Sequence, residues 1–311
     1  MNPIKIVPLA KDCLWGGSRL KADFGIQSDL PNVAEAWMLS PTENTSVIAS
    51  GELAGQPITA LLEEGEDIDE VFPLMIKFID AAKPLSVQVH PNDEYAGVNY
   101  GTRGKNECWY VLDAQPGAYL YYGFSRPVNK EEVKKRIEKG TLIEVLNKIE
   151  VKKHDIFFIR SGTLHAIGPG VLVAEIQQNS PLTFRVYDYM RLDKNGNPRE
   201  LHIKEALDCM SLNCNLPHST PQPLKAGDGY QIFSMVNCKH FDACIYRITK
   251  QVKISGTSKK WRGILVTEGA LSIRNMNGSE TIEGRKGEFF LVPRNDDQYE
   301  ITGEAEFILA E

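Results

Sequence analysis

Short runs of Val, Ile, Phe, Tyr and Trp, closed off by Gly, Pro, Asn and Asp, recur along the whole chain, while helical spacing of apolar residues is confined to a few places. This punctuation predicts strands over 85–90, 107–112, 118–122, 155–159, 171–177, 183–187, 263–267, 270–274 and 288–292. The run 74–79 is almost wholly apolar, and its shortness and the preceding Pro73 favour a strand there too. Helices are expected at 58–64 and 203–210. The charged stretch 130–149 is expected to form two short helices, capped by Asn129 and divided at Gly140 and Thr141. A chain written this way folds as a mainly β protein. Residues 215–229 carry Pro217, Pro221 and Pro223 and read as a connector between an N-terminal domain, 1–214, and a β-rich domain, 230–311. An acidic residue, an apolar run and a turn follow one another at 155–162 and again at 288–293, so two related barrels are expected.

The chain has 311 residues, 42% of them hydrophobic and 24% charged, which is ordinary globular usage and excludes coiled coil and disorder. Lys and Arg number 35 against 41 Asp and Glu, a formal charge of −6, with no basic cluster interleaved with aromatics; nucleic acid is not an expected partner. The best apolar run, 71–82, is interrupted by Lys77 and Asp80, and the N-terminus has no signal-peptide core, so no membrane association and a cytoplasmic location are expected. The six cysteines include no C-x-x-C pair, in keeping with a reduced compartment.

Four segments hold side chains able to do chemistry. Strand alternation sets Ser86, Gln88 and His90 on one face, opposite Leu85, Val87 and Val89, and Pro91 ends the ladder directly after the histidine. Taken alone, such a polar stripe is a solvated face. Glu107 opens an otherwise apolar strand, where a charge commonly protects an edge. A buried strand at 155–159 runs into a Ser161-Gly162 turn that presents His165, by itself more often a hydrogen-bonded core histidine. Together, two imidazoles and a carboxylate at strand ends, with Gln88 beside them and no thiolate, suit a borderline divalent metal with a position left open. In the fourth segment Val171, Val173, Glu175 and Gln177 share a face, and Arg185, Tyr187 and Tyr189 share one on the strand after a hairpin-like turn at Asn179, Ser180 and Pro181. Arg185 and Glu175 are then either a cross-strand ion pair or groups that meet an anionic substrate. His154, His202, His218 and His240 read as surface or packing residues.

These segments, in order, resemble the type I mannose-6-phosphate isomerases in their short bacterial form, within the cupin superfamily. The likeness is carried by Leu14 to Gly17, Glu35 to Trp37 with Ser40 and Pro41, Ile76 to Ala81 leading into Ser86 to Pro91, Gly104 to Glu107, Ser161 to Ala166, and Arg185 to Asp188. The resemblance implies two cupin-like (jelly-roll) β-barrels with a small helical insertion near 130–149, and one Zn²⁺ per chain held by Gln88, His90, Glu107 and His165. It implies a sugar phosphate as substrate, bound by Ser86, Lys105 and Arg185, and Glu175, Arg185 and Lys105 as catalytic groups. The chain is expected to act as a monomer or weak homo-oligomer. No histidine follows His240, so the C-terminal barrel has no second metal site and is expected to serve packing. Arg160 and Asn106 stand where many relatives have proline, which is expected to put polar groups near the pocket.

The activity implied is interconversion of mannose 6-phosphate and fructose 6-phosphate, a proton passing between C2 and C1 through an enediol. Glu175 is the expected proton carrier, with metal-bound water as its rival. Two other functions compete: a cupin oxygenase using Fe(II) on the same two-His-one-carboxylate set, and a sugar-phosphate-binding module with a structural metal. Lys105, Arg185 and the possible fourth ligand favour the isomerase.

Overall fold

The computed structural model describes residues 2–42, 45–192, 196–257, 260–295 and 297–311. Its strands form three sheets in which every strand pair is antiparallel. A six-stranded sheet runs in the order Ile156–Ile159, Glu107–Ala114, Val171–Gln178, Leu74–Ala81, Glu35–Leu39, Leu9–Lys11. Five strands, Phe184–Tyr187, Val87–Val89, His165–Ile167, Tyr119–Phe124 and Leu146–Glu150, make the sheet that faces it. Ile79, Trp109, Val111, Phe157 and Val173 of the first pack with Leu120, Tyr122 and Ile167 of the second in one shared core. The third, ten-stranded sheet holds the C-terminal strands, and Ile4–Val7 and Val47–Ile48 from the start of the chain hydrogen-bond into it.

The run at 74–79 is indeed a strand, Leu74–Ala81, and all eight of its residues are buried. Antiparallel sheets commonly leave one face to water, and period-2 alternation is then visible. Here both faces are covered. Ile76 and Phe78, with Cys108 and Tyr110, and with Ala174 and Ile176, pack against Met235, Ile245, Leu265, Phe289 and Ile308 of the C-terminal sheet. The alternate residues, Met75, Lys77 and Ile79, and Glu175 and Gln177, turn towards the other side, where cavities open.

Three local expectations are corrected. The stretch 130–149 forms one α-helix, Lys130–Glu138, capped by the Asn129 side chain, then a 3-10 turn, Leu142–Val145; residues 146–150 join the five-stranded sheet as a strand because Leu146 and its neighbours pair with the 119–124 strand. Within the expected connector, Gln222–Gly227 is a strand, hairpinned onto Tyr230–Asn237 through Asp228 and Gly229, the latter at φ 80°. The turn at 179–181 is no hairpin: the chain crosses it from the six-stranded to the five-stranded sheet, since Val171–Gln178 and Phe184–Tyr187 have different partners. Among the described residues no helix is long and apolar enough to cross a membrane.

A buried polar cluster joins the six-stranded sheet to the C-terminal one. The Tyr110 hydroxyl lies 2.5 Å from His154 Nδ1 and 3.1 Å from both Glu306 carboxylate oxygens. Arg247 Nε donates to Glu306 at 2.7 Å, and Thr267 donates to it at 3.0 Å. His154 sits at φ 77°, a left-handed conformation. Burial pushes its imidazole below the ordinary range; Arg247 and Lys153 add to this, while Glu306 and Glu268 oppose it. The unfolded chain takes up a proton near pH 6.5 that the folded chain resists, so this cluster loses stability as pH falls below that point. Asn tolerates the same backbone conformation. The stability gap between the wild type and His154→Asn should therefore narrow when urea unfolding is compared at about pH 7.5 and about pH 5.5. A gap that stays constant or widens would refute the assignment.

Candidate active site

Three neighbouring strand ends bring the site together. His165 pairs in register with Gln88, and Arg185 pairs with Gln88 from the other side. Glu107 lies opposite Gln177 on the facing sheet. Local backbone bonds hold the loops between them: Gly162 N donates to His90 O at 2.8 Å and Lys105 N to Pro91 O at 2.9 Å. Gly162 is required in its turn, with φ 86° and a Cβ that would stand 3.0 Å from Cys209 O. Asn106 clips the same region, accepting from Ser161 N at 2.9 Å and donating to Gln178 Oε1 at 2.7 Å. Its polarity is thus spent on structure rather than on the pocket. Arg160 is exposed and lies over the Phe158 ring, so neither departure from proline adds a free polar group to the cavity.

His90, Glu107 and His165 are at most 1% exposed and converge. His90 Nε2 stands 3.4 Å from Glu107 Oε2, and His165 Nε2 stands 3.3 Å from Glu107 Oε1. Each imidazole uses its other nitrogen on a backbone carbonyl, which can only accept: His90 Nδ1 donates to Leu182 O at 2.8 Å and His165 Nδ1 to Thr163 O at 2.9 Å. Both Nε2 atoms therefore carry lone pairs that point at the carboxylate. Burial keeps both rings neutral, lowering His90 and pushing His165 down to about 3, with the Lys105 charge adding to each. Burial alone would raise Glu107, yet its carboxyl is held well below the usual carboxylate range. Since the imidazoles are neutral, we assign that effect to the Lys105 ammonium, 2.7 Å from Oε2.

This arrangement fits a metal. His90 Nε2 and both Glu107 oxygens are buried without a hydrogen-bond donor or acceptor in suitable geometry, and the donor atoms of the three residues lie within 4.8 Å of one another. Buried lone pairs left unused are costly, and lone pairs that all face a common point are what a divalent cation needs. Gln88 offers its amide nitrogen 3.3 Å from His165 Nε2. Among the described residues this is the one group of His, Cys, Asp and Glu with metal-ligating spacing.

Beside the triad a cavity of about 230 Å³ is lined by Ser86, Gln88, Lys105, Glu175 and Arg185, so five of the eight expected site residues face one space. Arg185 and Glu175 do not form a cross-strand pair: they belong to different sheets across the cavity. Arg185 Nε instead donates to Ser86 Oγ at 3.3 Å. Glu175 receives Trp109 Nε1 on Oε2 at 2.7 Å, and its Oε1 lies 3.1 Å from Lys77 Nζ and 3.7 Å from Lys105 Nζ.

Lys77, Glu35 and Arg199 also line this cavity, and sequence reasoning passed over all three. Lys77 was legible as a lysine amid an apolar strand, sharing a face with Met75 and Ile79, a position lysine rarely takes unless paired. Burial alone would lower its pKa; Glu175, Glu35 and Glu107 outweigh burial and keep the ammonium charged. Arg199 grips Asp188 at 2.6 Å and 2.7 Å, a contact that strand alternation does not reveal.

A model of the type I phosphomannose isomerase catalytic domain matches residues 4–116. The chain is 34% identical to mannose-6-phosphate isomerase ManA of Bacillus subtilis, over 99% of this chain and 98% of that one. It is 35% identical to the mannose-6-phosphate isomerase of Streptococcus mutans, over 95% and 93%. The crystal structure of a mannose 6-phosphate isomerase from Bacillus subtilis matches it with a TM-score of 0.90 at 32% identity, covering 100% of both chains. With such identity sustained from end to end, and with the cupin fold in common, the chain belongs to the type I mannose-6-phosphate isomerases.

Proposed function

We propose that the protein interconverts mannose 6-phosphate and fructose 6-phosphate with one Zn²⁺ per chain, held by His90, Glu107 and His165 and by Gln88 once its amide presents oxygen. The observation that carries this reading is the buried, converging set of ligating atoms of His90, Glu107 and His165 beside a cavity lined by both carboxylates and cations. When bound, the ion supplies a Lewis acid for negative charge on the C1 and C2 oxygens. Residues 1–214 do the catalysis, and 230–311 cover the outer face of the six-stranded sheet. The protein works in the cytoplasm, as monomer or weak homo-oligomer, and its six cysteines are unpaired.

Isomerisation takes a proton from C2 of the open-chain aldose, forms the enediol, and returns a proton to C1. Glu175 is the group for this transfer: it lines the cavity, Trp109 fixes one carboxylate oxygen, and the other lies beside the ammonium groups of Lys77 and Lys105. Lys77 is charged and serves to position that carboxylate, being 3.1 Å from it and 3.6 Å from Glu35. Arg185, steadied by Ser86, and Arg199 stand together at the cavity wall and suit the phosphate, whose oxygens match the planar guanidinium fork. Lys105 lies between Glu107 and Glu175, within reach of negative charge that develops on the sugar oxygens.

A coupled assay with mannose 6-phosphate should show activity that chelation abolishes and Zn²⁺ restores; activity that survives full chelation would reject the metal-dependent reading. His165→Ala should fail to retain zinc in elemental analysis and should lose activity with it, and full activity at unchanged zinc would remove His165 from the site. Glu175→Gln should keep its zinc and lower kcat by about 10² or more. A kcat within a few fold of wild type would exclude Glu175 as the proton carrier.

A further inference from the structure

A second chamber, of about 380 Å³, shares Glu35, Lys77, Lys105 and Thr183 with the cavity at Glu175 and is lined further by Trp37 and Pro181. Gln177 lines this chamber. It follows Glu175 by two residues on the same strand, lies between Glu107 and Met75 in register, and is 1% exposed. Its amide orientation is fixed by the backbone: Nε2 donates to Gln178 O at 2.9 Å and to Ser180 O at 3.1 Å, so both amide hydrogens are used. Turning the amide over would set oxygen against two carbonyl oxygens. The carbonyl oxygen Oε1 is therefore held facing away from them, and it is buried with no hydrogen-bond partner.

We infer that Gln177 is a substrate-binding residue whose carbonyl oxygen accepts a hydrogen bond from a hydroxyl of the sugar chain. A lone acceptor repels phosphate oxygens and selects a hydroxyl. The inference rests on the isomerase reading, which commits the C1 and C2 oxygens to reaction, the C5 hydroxyl to ring closure and C6 to phosphate. The hydroxyl received by Gln177 is then that of C3 or C4. Arg185 and Arg199 line the first cavity and not the second, which leaves the phosphate end apart from Gln177.

The test uses zinc-loaded enzyme, mannose 6-phosphate, its 3-deoxy and 4-deoxy analogues, and inorganic phosphate as a competitive inhibitor. Gln177→Met should raise KM for mannose 6-phosphate about 3- to 10-fold, leaving kcat within about twofold, zinc content at wild type, and the inhibition constant of phosphate unchanged. In the wild type, one of the two analogues should show a comparable rise in KM, and the variant should add nothing to it. An unchanged KM in the variant, a parallel loss of phosphate affinity, or additive losses with both analogues would overturn the assignment. If the variant does not fold, the wild type decides: two analogues that bind as well as mannose 6-phosphate also overturn it. A zinc-loaded wild type without turnover would overturn the isomerase reading itself, an outcome distinct from an active enzyme indifferent to Gln177.

Discussion

A negative charge buried between two neutral imidazoles is the constraint around which the rest of this molecule is arranged. Glu107 is fully buried, and a carboxylate in such surroundings is tolerated only with a compensating cation close by. Lys105, two residues earlier, supplies one at 2.7 Å, and the histidines leave their lone pairs directed at the same carboxylate. The same lysine lies 3.7 Å from Glu175, and Lys77 lies 3.1 Å from it, so a chain of alternating charges runs from Glu107 to Glu175 and Lys77. Removing Lys105 would take from Glu107 the lysine that compensates its buried charge, which makes the network a device for holding positions as much as for chemistry.

Among the described residues the C-terminal barrel holds no comparable group of ligating side chains, and its interior is apolar, built from residues such as Ile264, Val266, Phe290, Ile301 and Phe307. By covering the outer face of the six-stranded sheet it lets residues 74–81, 107–112 and 171–178 be buried on both sides, one face apolar against the second barrel and the other carrying Lys77, Glu175 and Gln177 towards the cavities and Glu107 towards the histidines. The polar cluster of Tyr110, His154, Arg247 and Glu306 ties the same strand that holds Glu107 to that barrel.

Much of this was legible in the sequence because the relevant signals are local. Alternation alone placed Ser86 with Gln88, and Glu175 with Gln177, on one face, and the Pro91 and Ser161-Gly162 turns marked the strand ends that bear the histidines. The features that escaped depend on which strands become neighbours. Arg185 and Glu175 are close in sequence, yet the crossing at 179–181 sends them to different sheets, and no periodicity reports a crossing. The strand at 222–227 was hidden by its prolines, although Asp228 and Gly229 carried a hairpin signal. The helix Asp93–Tyr100 went unread because its apolar face is slight, even with Asn92 to cap it and Gly101 to end it. Lys77 was seen only as an interruption in an apolar run; its meaning needed Glu35 and Glu175, far away in the chain.

X-ray absorption spectroscopy on the zinc-reconstituted protein tests most directly whether His90, Glu107 and His165 surround one ion. The account predicts a first shell of nitrogen and oxygen at about 2.0 to 2.2 Å, with the outer-shell scattering of two imidazoles and no sulfur. A sulfur neighbour near about 2.3 Å, or scattering from fewer than two imidazoles, would contradict it.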